Sequence, residues 1–200
     1  MKKIIFATTN QGKVREVKMM MEDFGVDFVT MKDAGIDIDI VEYGKTFEEN
    51  AIIKAKTIME ATGEIALADD SGLEVDYLDG APGIYSARFL GEDTPYDEKN
   101  KYIIEKLKDA KGKERSARFV CAMAVAFPNG EIETCRGTIE GLIGYEQKGK
   151  NGFGYDPIVY VPEYEMTTGE MAPELKNSIS HRGKALEQMK EILKRKLDLN

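Results

Sequence analysis

The sequence is short of three features that define large classes of proteins. Its two cysteines, Cys121 and Cys135, supply neither a disulfide framework nor the ligand spacing of a zinc site. Its longest apolar stretches, such as residues 120–127, are far shorter than the roughly 20 residues of a membrane span. Basic residues are outnumbered, and the formal net charge of −8 argues against general binding to nucleic-acid phosphates. We therefore expect no membrane segment and no nucleic-acid partner.

The rest of the composition is that of a globular protein. Hydrophobic residues make up 42% of the chain and charged residues 32%, which suits one domain over residues 1–200, with two lobes. The first six residues are basic at the start but lack a long apolar region and a cleavage site, so we expect no signal peptide and a cytoplasmic protein. Cys121 and Cys135 lie in segments that look like paired strands, where a bridge is conceivable, but we expect buried free thiols.

Hydrophobic periodicity and capping residues predict mixed strands and helices. Residues 3–8 read as a buried strand, and a helix follows Asn10. Thr46 and Glu49 form a capping-box pattern before a second helix that ends near Gly63. The remaining predicted elements are a helix over about 95–108, hairpin arms at 116–127 and 131–139, a short strand after the loop 149–154, and a last helix from about Lys184. This mixture predicts an α/β fold with a mixed sheet and an active site in a cleft.

The most informative segment is the apolar run 65–68, which is followed by Asp69, Asp70, Ser71 and Gly72. Ligands of open α/β sheets bind beyond the carboxyl ends of strands, so a metal-binding or proton-accepting carboxylate is expected here. Successive strand side chains face opposite ways, so the two acids are expected to have different roles. The ordinary structural alternative is a turn after a strand.

A second segment lies between the first strand and the first helix. It consists of Thr8, Thr9, Asn10, Gln11, Gly12 and Lys13. Free backbone N–H groups, the positive end of the helix dipole and the lysine together make such a turn an anion site that fits a triphosphate. The alternative is that Asn10 is only a helix cap and Lys13 only a solvated residue.

A third candidate is Glu42, between an acidic stretch and the capped helix that carries Lys54. With Asp70 it can hold Mg²⁺, a hard ion that takes carboxylates, waters and substrate phosphates. The alternative is a solvated acidic surface, which is the usual state of such runs.

Two further segments suggest recognition of a base. Residues 152–157 place Phe153 and Tyr155 among glycines, where an aromatic ring can stack on a nucleobase and Asp156 can accept hydrogen bonds from it; the alternative is that a ring packs in the core. Lys176, the single histidine His181, and Arg182 form a cluster of donors in what reads as a loop before the last helix, suited to keto oxygens or phosphate. A lone histidine is often only structural.

Taken together, these segments resemble the inosine/xanthosine triphosphate pyrophosphatases, enzymes that hydrolyse non-standard purine nucleoside triphosphates. The resemblance covers nearly the whole chain. It rests on six motifs in family order: TTNQGK, YGKTFEENAIIKA, ADDSGLEV, GAPGIYSARF, GFGYDP and SISHRGKA. Thr9 stands where many relatives have a glycine or another small residue, which affects only the fine geometry of the first phosphate loop. The Met-rich stretch 164–173 is less family-like.

The resemblance implies a role for each candidate residue. Residues Thr8 to Lys13 and Lys54 would bind phosphates, Glu42 and Asp70 would hold Mg²⁺, Asp70 would accept a proton from water, and Asp69 would support it. Ser71 would contact substrate, Phe153 would stack on the base, and Gly154, Tyr155 and Asp156 would complete that wall. Lys176, His181 and Arg182 would recognise the purine edge. The implied architecture is a long mixed β-sheet with helices forming two lobes around a central substrate cleft, in a homodimer.

The implied reaction is attack of water at the α-phosphorus, which releases a nucleoside monophosphate and pyrophosphate. Donors such as His181 and Arg182 would pair with a 6-keto oxygen and face the 6-amino group of adenine donor to donor. Three other interpretations stay open: a related pyrophosphatase for modified pyrimidines or standard nucleotides, a non-catalytic nucleotide sensor, and a structural α/β protein with solvated loops.

Overall fold

The structure is a computed structural model that describes residues 1–199. Its strands are β1 (Lys3–Phe6), β2 (Asp27–Thr30), β3 (Ile65–Val75), β4 (Ser116–Ala126), β5 (Ile132–Ile143), β6 (Val159–Val161) and β7 (Met166–Thr167). Its α-helices are α1 (Gln11–Met21), α2 (Phe47–Thr62), α3 (Tyr96–Lys106), α4 (Pro173–Ile179) and α5 (His181–Leu197). Short 3₁₀ turns, such as Gly83–Arg88, lie between them.

The described strands form one mixed sheet in the order β2-β1-β3-β4-β5-β6-β7. Strand β1 is parallel to both β2 and β3, whereas β5, β6 and β7 pair antiparallel. The predicted α/β fold with a mixed sheet is therefore confirmed. Within residues 1–199, no helix has the length and apolar character needed to cross a membrane.

The chain divides into two compact units. Unit 1 contains residues 1–70, 121–137 and those from 181 onward, and unit 2 contains residues 71–120 and 138–180. In unit 1, alternate residues of β1 enter different cores: Ile4 and Phe6 pack with α1 and α5, and Ile5 packs with α2. Unit 2 has its own core around Leu73, Ile103 and Phe119 and the residues near them.

Capping side chains set the starts of two helices, as the sequence predicts. The Asn10 side chain accepts a hydrogen bond from the Lys13 N–H at 3.1 Å, and that of Thr46 accepts one from the Glu49 N–H at 3.1 Å. The Glu49 carboxylate accepts from the Lys45 N–H at 2.6 Å, one residue earlier than in a standard capping box. The caps therefore fix where α1 and α2 begin.

Several predicted boundaries are wrong. Strand β3 does not end at Ala68 but continues through Asp69, Asp70, Ser71 and Gly72 to Val75. The last helix begins at His181 rather than near Lys184, and residue 176 lies in α4 rather than in a loop. Polar residues at these positions look like turns because local sequence does not reveal the long-range pairing and ion pairs that stabilise them.

Both cysteines are free thiols, as expected, with Cys121 buried and Cys135 half-buried. Burial raises the pKa of Cys135 to about 12, so the thiol stays protonated at neutral pH.

Candidate active site

Two buried carboxylates in the middle of β3 form the centre of the candidate site in unit 1. Asp69 is 0% exposed and Asp70 is 6% exposed. Because neighbouring strand side chains point to opposite faces, the two carboxylates meet different partners. They therefore have to be considered separately.

Asp69 is bound by two cations. Its Oδ2 lies 3.0 Å from the Lys13 Nζ and 3.2 Å from the Arg182 Nη2. Burial acts to raise the pKa of Asp69, but the charges of Lys13 and Arg182 outweigh it and hold that pKa well below its usual range. The other oxygen, Oδ1, is buried with no hydrogen-bond partner among the described residues. Asp69 is therefore ionised, and its structural role is to hold these cations.

Arg182 joins Asp69 to helix α1. Its guanidinium is buried in the first turn of α5 and donates to the Glu16 Oε2 at 2.7 Å as well as to Asp69. Glu16 lies three residues after Lys13, so both side chains project from the same face of α1. Glu16 was not predicted from the sequence, where its only signal is this spacing.

Asp70 has a different environment. Its Oδ2 accepts a hydrogen bond from the Asn50 Nδ2 at 3.1 Å, and its Oδ1 lies 3.9 Å from the Lys54 Nζ. Burial, reinforced by the charge of Glu42, raises the pKa of Asp70 to about 6 against the pull of Lys54 and Lys13. Asp70 is therefore ionised at neutral pH and more basic than an ordinary aspartate.

Lys54 connects Asp70 with Glu42. Its Nζ lies 3.6 Å from the Glu42 Oε1 and 3.9 Å from the Asp70 Oδ1. In residues 1–199, no group of three or more histidine, cysteine, aspartate or glutamate side chains is arranged to hold a metal. Mg²⁺, however, commonly takes only one or two protein carboxylates and fills its other positions with water and phosphate oxygens. Glu42 and Asp70 are a donor set of that kind.

The turn before α1 carries the predicted anion-binding residues. The Thr8 Oγ1 accepts from the Asn10 N–H at 3.2 Å, and the Gln11 side chain donates to the Thr9 carbonyl at 3.3 Å. Thr9, Asn10 and Gln11 are exposed, and Gly12 is buried. The turn thus places the start of α1 within the same unit as Lys13 and the acidic centre.

In unit 2, the loop 152–156 is organised by Asp156. Its Oδ2 accepts from the Phe153 N–H at 2.9 Å and from the Lys176 Nζ at 2.6 Å, and its Oδ1 accepts from the Thr168 hydroxyl at 2.8 Å. The Lys176 Nζ also lies 4.9 Å from the centre of the Phe153 ring. Asp156 is buried by these contacts, so it fixes the loop that presents the half-buried Phe153.

The other loop residues have structural contacts. Gly152 has a φ of +69°, and a Cβ there would lie 2.0 Å from the Asp156 Oδ2, so only glycine fits. The buried Tyr155 hydroxyl donates to the Ser86 carbonyl at 2.6 Å, and its ring packs edge-on against Tyr96. A Cβ at Gly154 would lie 3.6 Å from the Tyr96 Cε1, in ordinary van der Waals contact. Tyr155 thus belongs to the core of unit 2.

His181 and Ser71 are the remaining predicted residues. His181 is buried at the start of α5 in unit 1, where the glycine at 137 permits close approach: a Cβ there would lie 2.3 Å from the His181 carbonyl. Ser71 is half-buried in β3. In unit 1 the structure groups Lys13, Glu42, Lys54, Asp69, Asp70 and Arg182; in unit 2 it groups Phe153, Asp156 and Lys176.

Sequence reasoning missed Asn50 and Thr168 as well as Glu16. Asn50 is four residues before Lys54 on α2, a spacing that places both side chains on one helix face. Thr168 has no signal in the sequence, since it reaches Asp156 only through the tertiary fold.

The fold and these contacts define a class: α/β proteins whose mixed sheet carries a buried carboxylate pair balanced by lysine and arginine. Within that class, the chain belongs to the Ham1 family, whose sequence model matches residues 4–192.

Proteins similar to this chain over nearly its whole length are also known. This chain is 48% identical over 193 residues to a dITP/XTP pyrophosphatase of Bacillus licheniformis, covering 96% of this chain and 98% of the relative. It is 50% identical over 191 residues to a dITP/XTP pyrophosphatase of Exiguobacterium sibiricum, covering 96% of each. The structure of a HAM1 protein from Coxiella burnetii matches with a TM-score of 0.88 and 42% identity, over 98% of this chain and all of that one. These matches confirm the resemblance stated from the motifs.

Proposed function

We propose that this protein hydrolyses non-standard purine nucleoside triphosphates (ITP, dITP and XTP) to the nucleoside monophosphate and pyrophosphate, and so removes them from the nucleotide pool. The observation that carries the proposal is the near full-length identity of 48–50% to relatives named dITP/XTP pyrophosphatase. The contacts of the acidic centre supply a physical account of the reaction.

The triphosphate binds at the start of α1 in this proposal. Backbone N–H groups of the turn from Thr8 to Gly12 and the positive end of the helix dipole attract phosphate oxygens. Lys13 and Lys54 add full charges, and both are already held by carboxylates of unit 1. The local cations therefore allow a protein of net charge −8 to bind an anion.

Glu42 and Asp70 hold Mg²⁺ in the proposal. Both carboxylates approach one cationic group, Lys54 Nζ, which supports their sharing a divalent cation. When bound, Mg²⁺ offsets charge on the phosphoryl oxygens and lowers the pKa of a bound water. The protein contributes mainly positioning and electrostatic stabilisation, since phosphoryl transfer needs little covalent chemistry from it.

Asp70 accepts the proton of the attacking water. Without a metal, burial raises the pKa of Asp70 to about 6, so at pH 7 the group is a carboxylate that can accept a proton. Asp69 supports it by holding the side chains of Lys13 and Arg182 next to the same strand. Ser71, the next residue of β3, contacts the substrate.

In this proposal the base is recognised by an aromatic wall and by a set of hydrogen-bond donors. Phe153 stacks on the purine, with Gly154, Tyr155 and Asp156 behind it, and the ion pair between Asp156 and Lys176 fixes that wall. Lys176, His181 and Arg182 recognise the purine edge. Donors at a 6-keto oxygen favour hypoxanthine and xanthine over adenine, whose amino group would leave them unpaired.

The position of attack tests this reaction. Hydrolysis of ITP in H₂¹⁸O should place the label in the monophosphate and leave the pyrophosphate unlabelled, and EDTA should stop it. Label in pyrophosphate, or release of orthophosphate, would contradict attack at the α-phosphorus.

We further propose a cytoplasmic homodimer, for which light scattering should give twice the chain mass of 22.4 kDa.

A further inference from the structure

Asn50 makes two hydrogen bonds that join separate parts of unit 1. The side chain projects from α2 and is 1% exposed. Its Nδ2 donates to the Asp70 Oδ2 at 3.1 Å, and its Oδ1 accepts from the Gly44 N–H at 2.8 Å. One amide group thus connects strand β3 with the segment that contains Glu42.

The chemistry of the partners determines the orientation of this amide. An ionised carboxylate can only accept and a backbone N–H can only donate, so the amide nitrogen has to face Asp70 and the oxygen has to face Gly44. Neither aspartate nor leucine at position 50 can make both contacts. An asparagine satisfies the two partners at once.

The segment before α2 is shaped to fit this contact. A Cβ at Gly44 would lie 2.6 Å from the Asn50 Oδ1 and 2.7 Å from the Glu49 Cβ, so any larger residue would push the segment away. One helical turn further along α2, Lys54 approaches both Glu42 and Asp70. Asn50 and Lys54 therefore hold the two acids from one helix face.

We propose that Asn50 is a positioning residue for the acidic centre: it fixes the orientation of the Asp70 carboxylate and the distance of the Glu42 segment from it. With Oδ2 held by Asn50, Oδ1 is the oxygen directed toward Lys54. The effect on turnover rests on the proposed function, whereas the effect on the geometry of the two acids does not.

Two substitutions separate the contacts. Asn50→Leu removes both hydrogen bonds at similar volume, and Asn50→Asp keeps the acceptor for Gly44 but replaces the donor to Asp70 with a second carboxylate. Thr46→Ala is the matched control, because it weakens the same helix by removing its cap without touching Asp70. All three are made in the full chain, and their melting temperatures are measured first.

The kinetic test is pyrophosphate release from ITP with Mg²⁺. Both Asn50 variants should lose at least about tenfold in kcat, as is typical for residues that orient ligands of a metal, with KM within about threefold. Thr46→Ala should keep kcat within about twofold at an equal or larger loss of melting temperature. Wild-type kcat in folded Asn50→Leu, or a loss of kcat that merely follows melting temperature across all three variants, would overturn the proposal.

Metal binding gives a second readout that needs no turnover. Mn²⁺ is titrated into nucleotide-free wild type and Asn50→Leu and followed by electron paramagnetic resonance; we expect about tenfold weaker binding in the variant. Equal affinity would overturn the proposal, as would failure of both Asn50 variants to fold. If wild type hydrolyses no triphosphate, the proposed function fails, and the Mn²⁺ titration still decides the role of Asn50.

Discussion

Asp69 and Asp70 are identical residues in adjacent positions, yet the pKa of Asp69 is lowered and that of Asp70 is raised. The difference comes from charge at short range: Asp69 Oδ2 touches two cations, at 3.0 and 3.2 Å, whereas the Lys54 Nζ is 3.9 Å from Asp70. Burial therefore dominates for Asp70 and raises its pKa to about 6, while it is outweighed for Asp69. The strand thus provides one permanent anion and one group suited to proton transfer.

Asp70→Asn should abolish turnover because an amide neither accepts the water proton nor supplies a charged metal ligand. We expect pyrophosphate release from ITP to fall below about 1% of wild type, a loss of roughly 3 kcal/mol or more in transition-state stabilisation. Circular dichroism should show an unchanged fold. Activity near the wild-type level would remove Asp70 from the role of proton acceptor.

The same substitution should stabilise the metal-free protein. A raised pKa in the folded state means that ionised Asp70 destabilises the fold above pH 6, an effect that shrinks between pH 6 and about 4 and vanishes below. Asp70→Asn should therefore increase the free energy of unfolding by about 2–3 kcal/mol at pH 8 in EDTA, and by little at pH 4. A gain that is equal at both pH values would show that ionisation is not its cause.

Phe153→Ala should weaken substrate binding more than chemistry. Loss of a stacked ring costs about 1–3 kcal/mol, so we expect KM for ITP to rise roughly 5- to 150-fold with a smaller change in kcat. Phe153→Tyr keeps a ring and is the matched control. An unchanged KM in the alanine variant would show that the ring does not contact the base.

Among the structural elements, the loop 152–156 depends most on a single residue. Gly152→Ala should displace Asp156 and with it Lys176, because a Cβ would overlap the Asp156 carboxylate. We expect a loss of at least about 1–3 kcal/mol in stability and a higher KM for ITP.

Gly130→Ala is the control for backbone strain. Gly130 also has a positive φ, of +91°, but has open space where a Cβ would go. The substitution Gly130→Ala should lower the stability of the protein and leave KM for ITP unchanged. Equal KM values in the two variants would indicate that the geometry of the loop does not affect substrate binding.

The elements also show what the sequence can and cannot predict. Asn10 and Thr46 mark the starts of α1 and α2 because capping is a local interaction, and the structure has both caps. The course of β3 through Asp69 and Asp70 was not predicted, because it depends on Lys13 and Arg182, residues far away in the sequence. Arg182, which pairs with Asp69, lies in the first turn of α5, whose start at His181 is earlier than predicted.

The α/β class of the protein followed from alternating helix and strand periods, but the order of the strands in the described part of the chain did not. Strands β3, β4 and β5 each contain residues of both compact units, so no single point along the chain separates the two units. The six motifs identified the family without that knowledge, because each lies within one short segment. Their contacts, such as that of Asn50 with Asp70, required the fold.

The most direct test of the proposed function is pyrophosphate release from ITP, XTP, dITP, GTP and ATP at equal concentration, with Mg²⁺ and with EDTA. We predict rapid, Mg²⁺-dependent release from the first three and at least about tenfold lower kcat/KM for ATP, whose 6-amino group meets donors. Guanine shares the 6-keto oxygen, so lower kcat/KM for GTP requires in addition a site that leaves its 2-amino group unpaired. Equal rates for all five would contradict recognition of the purine edge by Lys176, His181 and Arg182. Binding of ITP without pyrophosphate release would contradict the enzyme itself and identify a nucleotide sensor.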